Sequence, residues 1–342
     1  METRKALFKG KDYITTEEYS EAEIEILLDV SADLKRKFKG RVPHRYLPDQ
    51  TIFLMFFDKS TRTRNSFEAG ITQLGGHAHF LTTDVMQVSH GESAKDTGII
   101  LSSYGHAIAI RHDLIPGEGN AYMREVARWA DVPVINMQGD IDHPCQTLAD
   151  LMTIREKLGR NLSGRKLAVS WAYAPSYAKP LSVPQGLIML MPRFGLDVVL
   201  AHPPEYALMP ETVEAARENA RRAGTKFEIV DNMDDAFRGA DIVIPKSWGC
   251  LDTMGTNPKE SLRIAEGYRH WICNNERMKL AAENALYMHP LPADRGNEVT
   301  DDVIDGPQSV VYQEAENRLH TAKAIMALTM SDQEVVYEMT GS

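Results

Sequence analysis

The stretch FDKSTRTRNSFEAG, from Phe57 to Gly70, joins an apolar segment to an amphipathic one, and this junction decides the fold predicted for the first half of the chain. Residues 51–57, TIFLMFF, are short, apolar and aromatic, which is typical of a buried strand. The residues that follow have the pattern of a helix that ends near Gly75. Free peptide N–H groups and the positive end of the helix dipole converge where such a helix begins.

The polar residues at this junction suggest an anion site. Two guanidiniums and three hydroxyls stand beside the helix start, and together they suit a doubly charged oxyanion, most simply a phosphate. They belong to Ser60, Thr61, Arg62, Thr63 and Arg64. The alternative is an ordinary Ser/Thr helix cap with solvated arginines, and the stretch alone leaves both interpretations open.

The composition is that of a globular protein with room for two domains. Of the 342 residues, 43% are hydrophobic and 25% are charged, and the net charge is −10. This charge argues against a nucleic-acid partner, because no basic stripe is available to neutralise a phosphate backbone. It does not argue against a small anionic substrate, which needs only a local cluster of arginines.

The cysteines and the apolar runs bear on the compartment. Cys145, Cys250 and Cys273 are odd in number and have no C-x-x-C spacing, which suits a reducing compartment and offers neither a disulfide framework nor a zinc site. The N-terminal residues lack the apolar core of a signal peptide, and no run approaches the roughly 20 apolar residues of a membrane span. We therefore expect a cytoplasmic protein with no membrane segment and no bound metal.

Apolar strands alternate with helical stretches along the chain, which predicts parallel sheets covered by helices on both faces. We predict an α/β protein with two doubly wound parallel-sheet domains, at 1–150 and 151–315, and a C-terminal helix at 316–335 that packs back on the first domain. A first helix is predicted from the capping box Thr15-x-x-Glu18. The strand candidates are 51–57, 77–81, 106–111, 133–137, 166–172, 197–202, 226–230, 241–246 and 285–289.

Ligands of open α/β sheets bind beyond the carboxyl ends of the strands. Unusual polar residues follow five of the predicted strands, and we expect them to line a ligand-binding cleft. In chain order they are Arg62 with its neighbours, Arg111, the cluster of His143 and Gln146, the pair Lys246 and Trp248, and His289-Pro290-Leu291-Pro292.

Three segments resemble the signatures of a known family. STRTR (60–64), HPCQTLAD (143–150) and MHPLP (288–292) are similar to the motifs of the aspartate and ornithine transcarbamoylase superfamily, and the resemblance covers nearly the whole chain. It implies transfer of a carbamoyl group from carbamoyl phosphate to an amine, with release of phosphate. Because the substrate amine is itself the nucleophile, neither a nucleophilic side chain nor a cofactor is needed, and catalysis rests on positioning and electrostatics.

The resemblance also implies roles for individual residues on carbamoyl phosphate. Arg111 and His143, with Thr63, would polarise the carbonyl oxygen as an oxyanion hole does. The phosphate would be bound by Ser60, Arg62, Thr63 and the peptide N–H groups from Thr61 onward.

Other residues of the resemblance would complete this ligand's environment. Gln146 and the backbone carbonyls near Leu291 would hold the carbamoyl NH₂, and the Leu291–Pro292 peptide would be cis. Arg318, in AENRLHT, matches an arginine that the ornithine branch places on the same ligand.

Several of these residues have structural alternatives. Arg111 could pair with an acid, and His143 could cap the helix that follows it. Cys145 is expected to be buried, because small apolar packing is the commonest role of a free cysteine. Asp142 and Asp150 are expected to act structurally, through capping and local hydrogen bonds.

The loop at 82–97 bears on assembly. In the resembled family the corresponding loop reaches into the neighbouring subunit's site, and Gln87 matches a glutamine of the ornithine branch. His90 lies where the aspartate branch uses a lysine. The alternative for Gln87 is a solvated loop residue. The resemblance thus implies a homotrimer with shared active sites.

The residues that would select the amine depart from the family pattern. Lys246 stands where the ornithine branch carries an acid for the α-amino group, and Pro290 replaces the cysteine of its HCLP motif. A poorly solvated lysine would repel an ammonium by about a few kcal/mol. The alternative is that Lys246 faces solvent or pairs with Asp241 or Asp252. The candidate residues for the second substrate are Lys246, Trp248, Pro290 and Leu291.

A second departure concerns the proline-rich loop SWAYAPSYAKPLSVPQ at 170–185. It resembles the N-acetylornithine and N-succinylornithine transcarbamoylases, in which this loop makes a knotted path. HPLP resembles the aspartate branch, whereas ADRGNEVTDDVIDG (293–306) resembles the putrescine enzymes. We predict an ornithine-like acceptor with an acylated or ureido nitrogen, with ornithine or putrescine as the alternative.

Two other classes of protein are disfavoured. A dinucleotide-binding dehydrogenase would suit two doubly wound domains, but no G-x-G-x-x-G follows a first strand. A non-catalytic phosphate-binding subunit would not need His143 beside Arg62, because binding phosphate alone requires no group that polarises a carbonyl.

Overall fold

The computed structural model describes residues 7–337. It divides into two compact units, of which the first is the chain up to Met152 with the C-terminal segment from Glu316, and the second is Thr153–Ala315. The sequence-based boundaries, 150/151 and 315/316, lie beside these divisions. Within the described residues, no helix has both the length and the apolarity to cross a bilayer.

A four-stranded parallel sheet of order β2-β1-β3-β4 forms the centre of the first unit. Its strands are β1 (Thr51–Phe56), β2 (His77–Thr82), β3 (Ala107–Arg111) and β4 (Val134–Gln138). The helices of this part of the chain are α1 (Glu21–Lys39), α2 (Arg62–Leu74), α3 (Ala94–Tyr104), α4 (Gly119–Trp129) and α5 (Pro144–Leu158). Residues 52–56 of β1 are buried, as expected of a parallel strand covered on both faces.

The second unit contains a five-stranded parallel sheet of order β7-β6-β5-β8-β9. Its strands are β5 (Lys166–Trp171), β6 (Asp197–Ala201), β7 (Phe227–Val230), β8 (Ile242–Lys246) and β9 (Leu286–Tyr287). Its helices are α6 (Ser182–Leu190), α7 (Pro210–Ala223), α8 (Met233–Phe237), α9 (Pro258–Glu266), α10 (Asn275–Met278) and α11 (Asp301–Ile304), and α12 (Val311–Met330) follows. The nine predicted strands are thereby confirmed, whereas the knotted path of 170–185 stays a prediction.

The capping box predicted at Thr15 and Glu18 is wrong. Thr15 caps only a short 3₁₀ turn, where its side chain accepts a hydrogen bond from Glu17 N. The helix begins later, at a capping box in which Ser20 and Glu23 satisfy each other's backbone N–H groups. Both tetrapeptides fit the same sequence rule, and only packing of the following helix distinguishes them.

Helix α12 packs closely against α2 at Gly70. A Cβ atom there would lie 2.9 Å from Met326 Cε and 3.2 Å from Lys323 Cγ, so a larger residue would require these side chains to shift. This close approach accompanies the contact that Arg318, earlier on α12, makes with Thr63 in the first turn of α2.

His320 lies on α12 in a buried and strongly basic environment. Its side chain is fully buried, its ring lies 5.7 Å from that of Phe38, and Glu316 Oε1 is 3.8 Å from its Nε2. Burial lowers the pKa of His320 to about 3, and the charges of Lys323 and Lys35 act in the same direction. The folded protein therefore holds His320 neutral.

We expect His320 to make the protein sensitive to acid. Above pH about 6.5 the residue is neutral in both states, but below it the unfolded chain takes up a proton that the folded chain refuses until pH about 3. The free energy of unfolding should therefore fall by about 1.4 kcal/mol per pH unit through this residue as the pH drops from 6.5.

Urea unfolding at pH 7, 6 and 5 tests this, with His320→Leu as the variant and His90→Leu, at an exposed turn, as its control. His320→Leu should lose less stability over this range than the wild type, and His90→Leu should follow the wild type. Equal pH dependence in all three proteins would contradict the assignment.

Candidate active site

The start of α2 lacks an ordinary side-chain cap. Thr61 occupies the cap position with helical dihedral angles and its side chain makes no capping hydrogen bond. Ser60 Oγ accepts one long bond, of 3.3 Å, from Thr63 N. Arg62 is half-buried, and burial together with the nearby charge of Arg111 lowers its pKa. Ser60 therefore provides a weak side-chain cap, and Arg62 is not a fully solvated arginine.

Arg318 joins the two helices that carry the first two motifs. It is 4% exposed, and its Nη2 donates to Thr63 Oγ1 at 2.9 Å while its Nη1 donates to Gln146 Oε1. Thr63 lies in the first turn of α2 and Gln146 in the first turn of α5. The α12 arginine thus fixes both helix starts relative to each other.

Three guanidiniums approach one another in the first unit. The pKa of Arg318 is lowered to about 10, chiefly by burial and in part by the charges of Arg111 and Arg62. Acids offset part of this repulsion, because Arg111 Nη2 donates to Asp113 Oδ2 at 2.9 Å and the charge of Asp150 favours protonated Arg318. Such a cluster favours a ligand with more than one negative charge.

Arg111 both pairs with an acid and keeps donors for another partner. The predicted alternative is realised, because Asp113 is buried against its guanidinium. However, a guanidinium has five N–H donors. Arg111 Nε has no hydrogen-bond acceptor within the described part of the chain. The ion pair therefore orients the Arg111 guanidinium without using all of its N–H donors.

The amide of Gln146 is oriented by its neighbours. Its oxygen accepts from Arg318, and its nitrogen donates to Asp150 Oδ1 at 2.7 Å, so the two ends cannot be exchanged. Asp150 thus acts through a local hydrogen bond, as predicted.

His143 and Cys145 flank the first residue of α5. His143 is 3% exposed, and its carbonyl accepts the N–H of Thr147, which places it at the helix start. Cys145 is fully buried, its thiol donates to Asn136 O at 3.2 Å, and burial raises its pKa to about 12. Cys145 is therefore an unreactive packing residue, as predicted.

Asp142 anchors the turn before His143. Its Oδ2 accepts from Thr15 Oγ1 and from Thr16 N, each at 3.0 Å. Burial raises its pKa to about 6 despite these bonds. Its predicted structural role is confirmed.

Two acids near this site were missed at the level of sequence. Asp113, two residues after Arg111, is the buried partner described above. Asp140 accepts hydrogen bonds from Gly117 N and Asn120 N, each at 2.6 Å, and so holds the start of α4. The only signal was an aspartate just past a strand end, which is common in loops.

Gln87 is not brought to the arginine cluster within this chain. It begins a short 3₁₀ turn, Gln87–His90, and its side chain is exposed. The neighbouring Val85 is 67% exposed, which is unusual for a large apolar residue. The loop therefore projects polar and apolar side chains into solvent.

In the second unit, Lys246 ends β8 and is partly buried. Its Nζ donates to Ser247 O at 2.8 Å, and its charge contributes, after His289 and Lys179, to the lowered pKa of buried Glu298. Asp241, one of the alternative partners considered for Lys246, binds Arg165 Nη1 and the backbone N–H of Lys166, each at 2.8 Å.

His289, in the HPLP motif, has both ring nitrogens in internal contacts. Its Nδ1 accepts from Leu291 N at 2.9 Å, which places the ring proton on Nε2, 3.4 Å from Glu298 Oε2. The side chain is 1% exposed. These contacts argue against His289 as the base that receives the substrate proton. The Leu291–Pro292 peptide is cis, as predicted.

Trp248 packs in the core of the second unit. It is 1% exposed, and its Nε1 donates to Tyr206 O at 2.8 Å. Its carbonyl accepts from Trp171 Nε1 at 3.0 Å. Its predicted side-chain role toward the second substrate is thus replaced by a packing role. Pro290 is also buried.

Parallel α/β sheets with an arginine cluster at a strand-to-helix junction suit a protein that binds a phosphorylated ligand. Residues 11–156 match the model of the aspartate/ornithine carbamoyltransferase carbamoyl-P binding domain. Residues 181–329 match that of the aspartate/ornithine carbamoyltransferase Asp/Orn binding domain. The chain therefore belongs to the aspartate/ornithine carbamoyltransferase family, and the predicted family is confirmed.

Similar proteins carry related names. YgeW of Escherichia coli K12, named provisionally as a carbamoyltransferase, is 41% identical over 340 residues, which cover 89% of this chain and 86% of YgeW. The ornithine carbamoyltransferase structure of Pyrococcus furiosus matches with a TM-score of 0.84 at 37% identity, covering 94% of this chain and 97% of that one. An acetylornithine transcarbamylase complexed with acetylcitrulline matches with a TM-score of 0.86 at 33% identity, covering 94% and 100%.

We expect Arg62→Ala to lower turnover with carbamoyl phosphate about 10²–10³-fold, the usual cost of removing one donor to a developing oxyanion. The stability of the free protein should stay unchanged or rise, because Arg62 is repelled by Arg111 and Arg318. Ureido product formation and urea unfolding measure the two effects.

Arg64→Ala is the matched control. Arg64 pairs with Glu68 at 2.9 Å and lies 3.5 Å above the ring centroid of Phe80, so its loss should reduce stability and spare turnover. Near-normal kcat in Arg62→Ala would remove Arg62 from the site.

Proposed function

We propose that the chain transfers the carbamoyl group of carbamoyl phosphate to the amine of an ornithine-like acceptor and releases phosphate. The observation that carries this proposal is the cluster of Arg62, Arg111 and Arg318, in which Arg318 donates to the side chains of Thr63 and Gln146. A phosphate with a polarised carbonyl attached needs such a set of donors, arranged around one small ligand.

In this mechanism the phosphate of the donor lies at the start of α2. Its oxygens accept from Ser60, Arg62, Thr63 and the peptide N–H groups from Thr61 onward. Arg111, oriented by Asp113, acts with His143 on the carbonyl oxygen, where negative charge develops as the amine attacks. In the first unit, Gln146 accepts a hydrogen bond from the carbamoyl NH₂.

The reaction needs no covalent enzyme intermediate. The acceptor nitrogen forms a bond to the carbonyl carbon, and the bond from that carbon to the phosphate oxygen breaks. The proton lost by the amine goes to the departing phosphate, since both ring nitrogens of His289 are engaged internally. The products are a ureido compound and inorganic phosphate.

The favoured acceptor is an ornithine analogue whose α-nitrogen is acylated or part of a ureido group. Lys246 stands where the resembled ornithine enzymes carry an acid, so a free α-ammonium would lack its counter-charge there. The structural likeness to an acetylornithine transcarbamylase supports the same choice. Ornithine itself is the second candidate, because the Pyrococcus furiosus enzyme of that name is 37% identical. Putrescine is a third.

A panel of acceptors tests the proposal. Carbamoyl phosphate is incubated with N-acetylornithine, N-succinylornithine, ornithine and putrescine, and ureido product is measured. We expect the acylated compounds to have the higher kcat/KM. In Lys246→Met the preference should move toward ornithine and putrescine, because one positive charge is removed, whereas Lys259→Met, at an exposed position on α9, should not change it.

A wild-type preference for ornithine or putrescine would overturn the acceptor assignment and leave the reaction in place. Absence of product with every amine would overturn the proposed function itself.

We also propose that the active form is a homotrimer in the cytoplasm, with Gln87 entering a neighbour's site. The exposed loop of Gln87 and the exposed apolar side chains of Ile99, Ile100 and Tyr104 on α3 support a subunit contact at this face. The free, buried cysteines support a reducing compartment.

Mixing two inactive variants tests the shared site. Gln87→Ala and His143→Ala, each inactive alone, should regain part of the wild-type activity when unfolded and refolded together, because a mixed trimer contains some sites with both residues intact. The refolded assemblies are sized by light scattering, with each variant refolded alone as the control. Mixed trimers that stay inactive would contradict the proposal.

A further inference from the structure

Glu298 is a fully buried carboxylate surrounded by hydrogen-bond donors of the second unit. Its Oε1 accepts from Ser247 N at 2.6 Å, and its Oε2 accepts from Asp294 N at 2.7 Å. The proton-bearing Nε2 of His289 lies 3.4 Å from Oε2, and Lys179 Nζ lies 3.8 Å from it. Every polar neighbour offers a proton, so only an ionised carboxylate satisfies the set.

These contacts come from three separate segments. Ser247 follows β8 and stands beside Lys246, Asp294 follows the HPLP motif, and Lys179 lies in the proline-rich loop after β5. Lys179 also binds Asp294 Oδ2 at 2.7 Å, which ties that loop to the HPLP segment a second time. One carboxylate therefore joins the three segments that sequence comparison connects with acceptor choice.

We propose that Glu298 is a positioning and specificity-determining residue: it fixes Lys246 and the HPLP segment by hydrogen-bonding the peptide N–H groups of Ser247 and Asp294, and it sets the charge that the acceptor meets. This inference rests on the proposed function for its consequence in catalysis. Its structural part, the immobilisation of two loops, stands independently of which amine is used.

The charges around Glu298 predict the direction in which acceptor preference changes when one of them is removed. Lys179 and Lys246 are offset by Glu298 and Asp294. Removing Glu298 leaves this group one unit more positive, which disfavours an acceptor with a free α-ammonium. Removing Lys179 leaves it one unit less positive, which favours that same acceptor.

Two variants and a control use these opposite signs. In Glu298→Gln, the amide NH₂ must face one of the two peptide N–H donors, so one hydrogen bond is lost. In Lys179→Met, both peptide bonds to Glu298 remain. Glu283→Gln removes a charge from an exposed position of the second unit and serves as the matched control.

The first measurement is amide hydrogen exchange of the full chain, which requires no substrate. We expect exchange in peptides containing Ser247 or Asp294 to accelerate at least about ten-fold in Glu298→Gln and to stay near the wild-type rate in Glu283→Gln. Unchanged exchange in Glu298→Gln would overturn the proposal.

The second measurement is the ratio of kcat/KM for N-acetylornithine to that for ornithine. We expect the ratio to rise about three-fold or more in Glu298→Gln and to fall by a similar factor in Lys179→Met, as one unit of charge near the acceptor requires. A purely structural lesion would lower both rates and move the ratio in the same direction in both variants, which would overturn the role in specificity.

The two arms separate this inference from the proposed function. Should the wild type carbamoylate neither amine, the proposed function fails, while hydrogen exchange still decides whether Glu298 holds the loops. Should Glu298→Gln fail to fold, Lys179→Met decides: a falling ratio supports the proposal, and an unchanged or rising ratio overturns it.

Discussion

Mutual repulsion among three guanidiniums is the constraint on which the first unit is built. Burial is the largest cause of the lowered pKa of Arg62 and Arg318, and the charge of Arg111 lowers both, with that of Arg62 also acting on Arg318. Neutral acceptors on Thr63 and Gln146 hold Arg318 without removing its charge. The unit therefore holds positive charge in a partly buried place, where water screens it less than at the surface. That charge is available to an anionic ligand.

The fold explains how residues so distant in sequence meet. Parallel strands place the polar residues that follow them at one edge of the sheet, which collects the start of α2 and the end of β3. Helix α12 then brings Arg318 to the same edge, and the missing side chain of Gly70 permits its close packing on α2. In the second unit, the carboxylate of Glu298 contacts three loops, as the guanidinium of Arg318 contacts two helix starts in the first unit.

Much of this arrangement was predictable, and the failures have physical reasons. STRTR predicts an anion site because a strand end, a helix start and two arginines coincide within a few residues. Glu298 escaped prediction because its partners are peptide N–H groups, which carry no sequence signal. For Lys246 the sequence left open the substrate, solvent, Asp241 and Asp252, since its charge relation to Glu298 depends on loops whose paths periodicity does not predict.

The same reason accounts for Trp248 and for the first helix. An aromatic residue at a strand end resembles a ligand contact in sequence, but here its N–H serves Tyr206 O inside the core. The capping rule fits Thr15 and Ser20 equally well, and burial of the helix face selects Ser20. Local sequence patterns predicted the secondary-structure elements and the positions of the motifs. Tertiary packing determined which residue caps the first helix and what the Trp248 side chain contacts.

The central claim, that the arginine cluster binds the phosphate of the carbamoyl donor, is tested most directly by a crystal structure with carbamoyl phosphate bound. The account predicts phosphate oxygens within hydrogen-bonding distance of Arg62 and of the first peptide N–H groups of α2, with the carbonyl oxygen facing Arg111 and His143. A phosphate bound elsewhere, with these arginines contacting only protein groups, would contradict it.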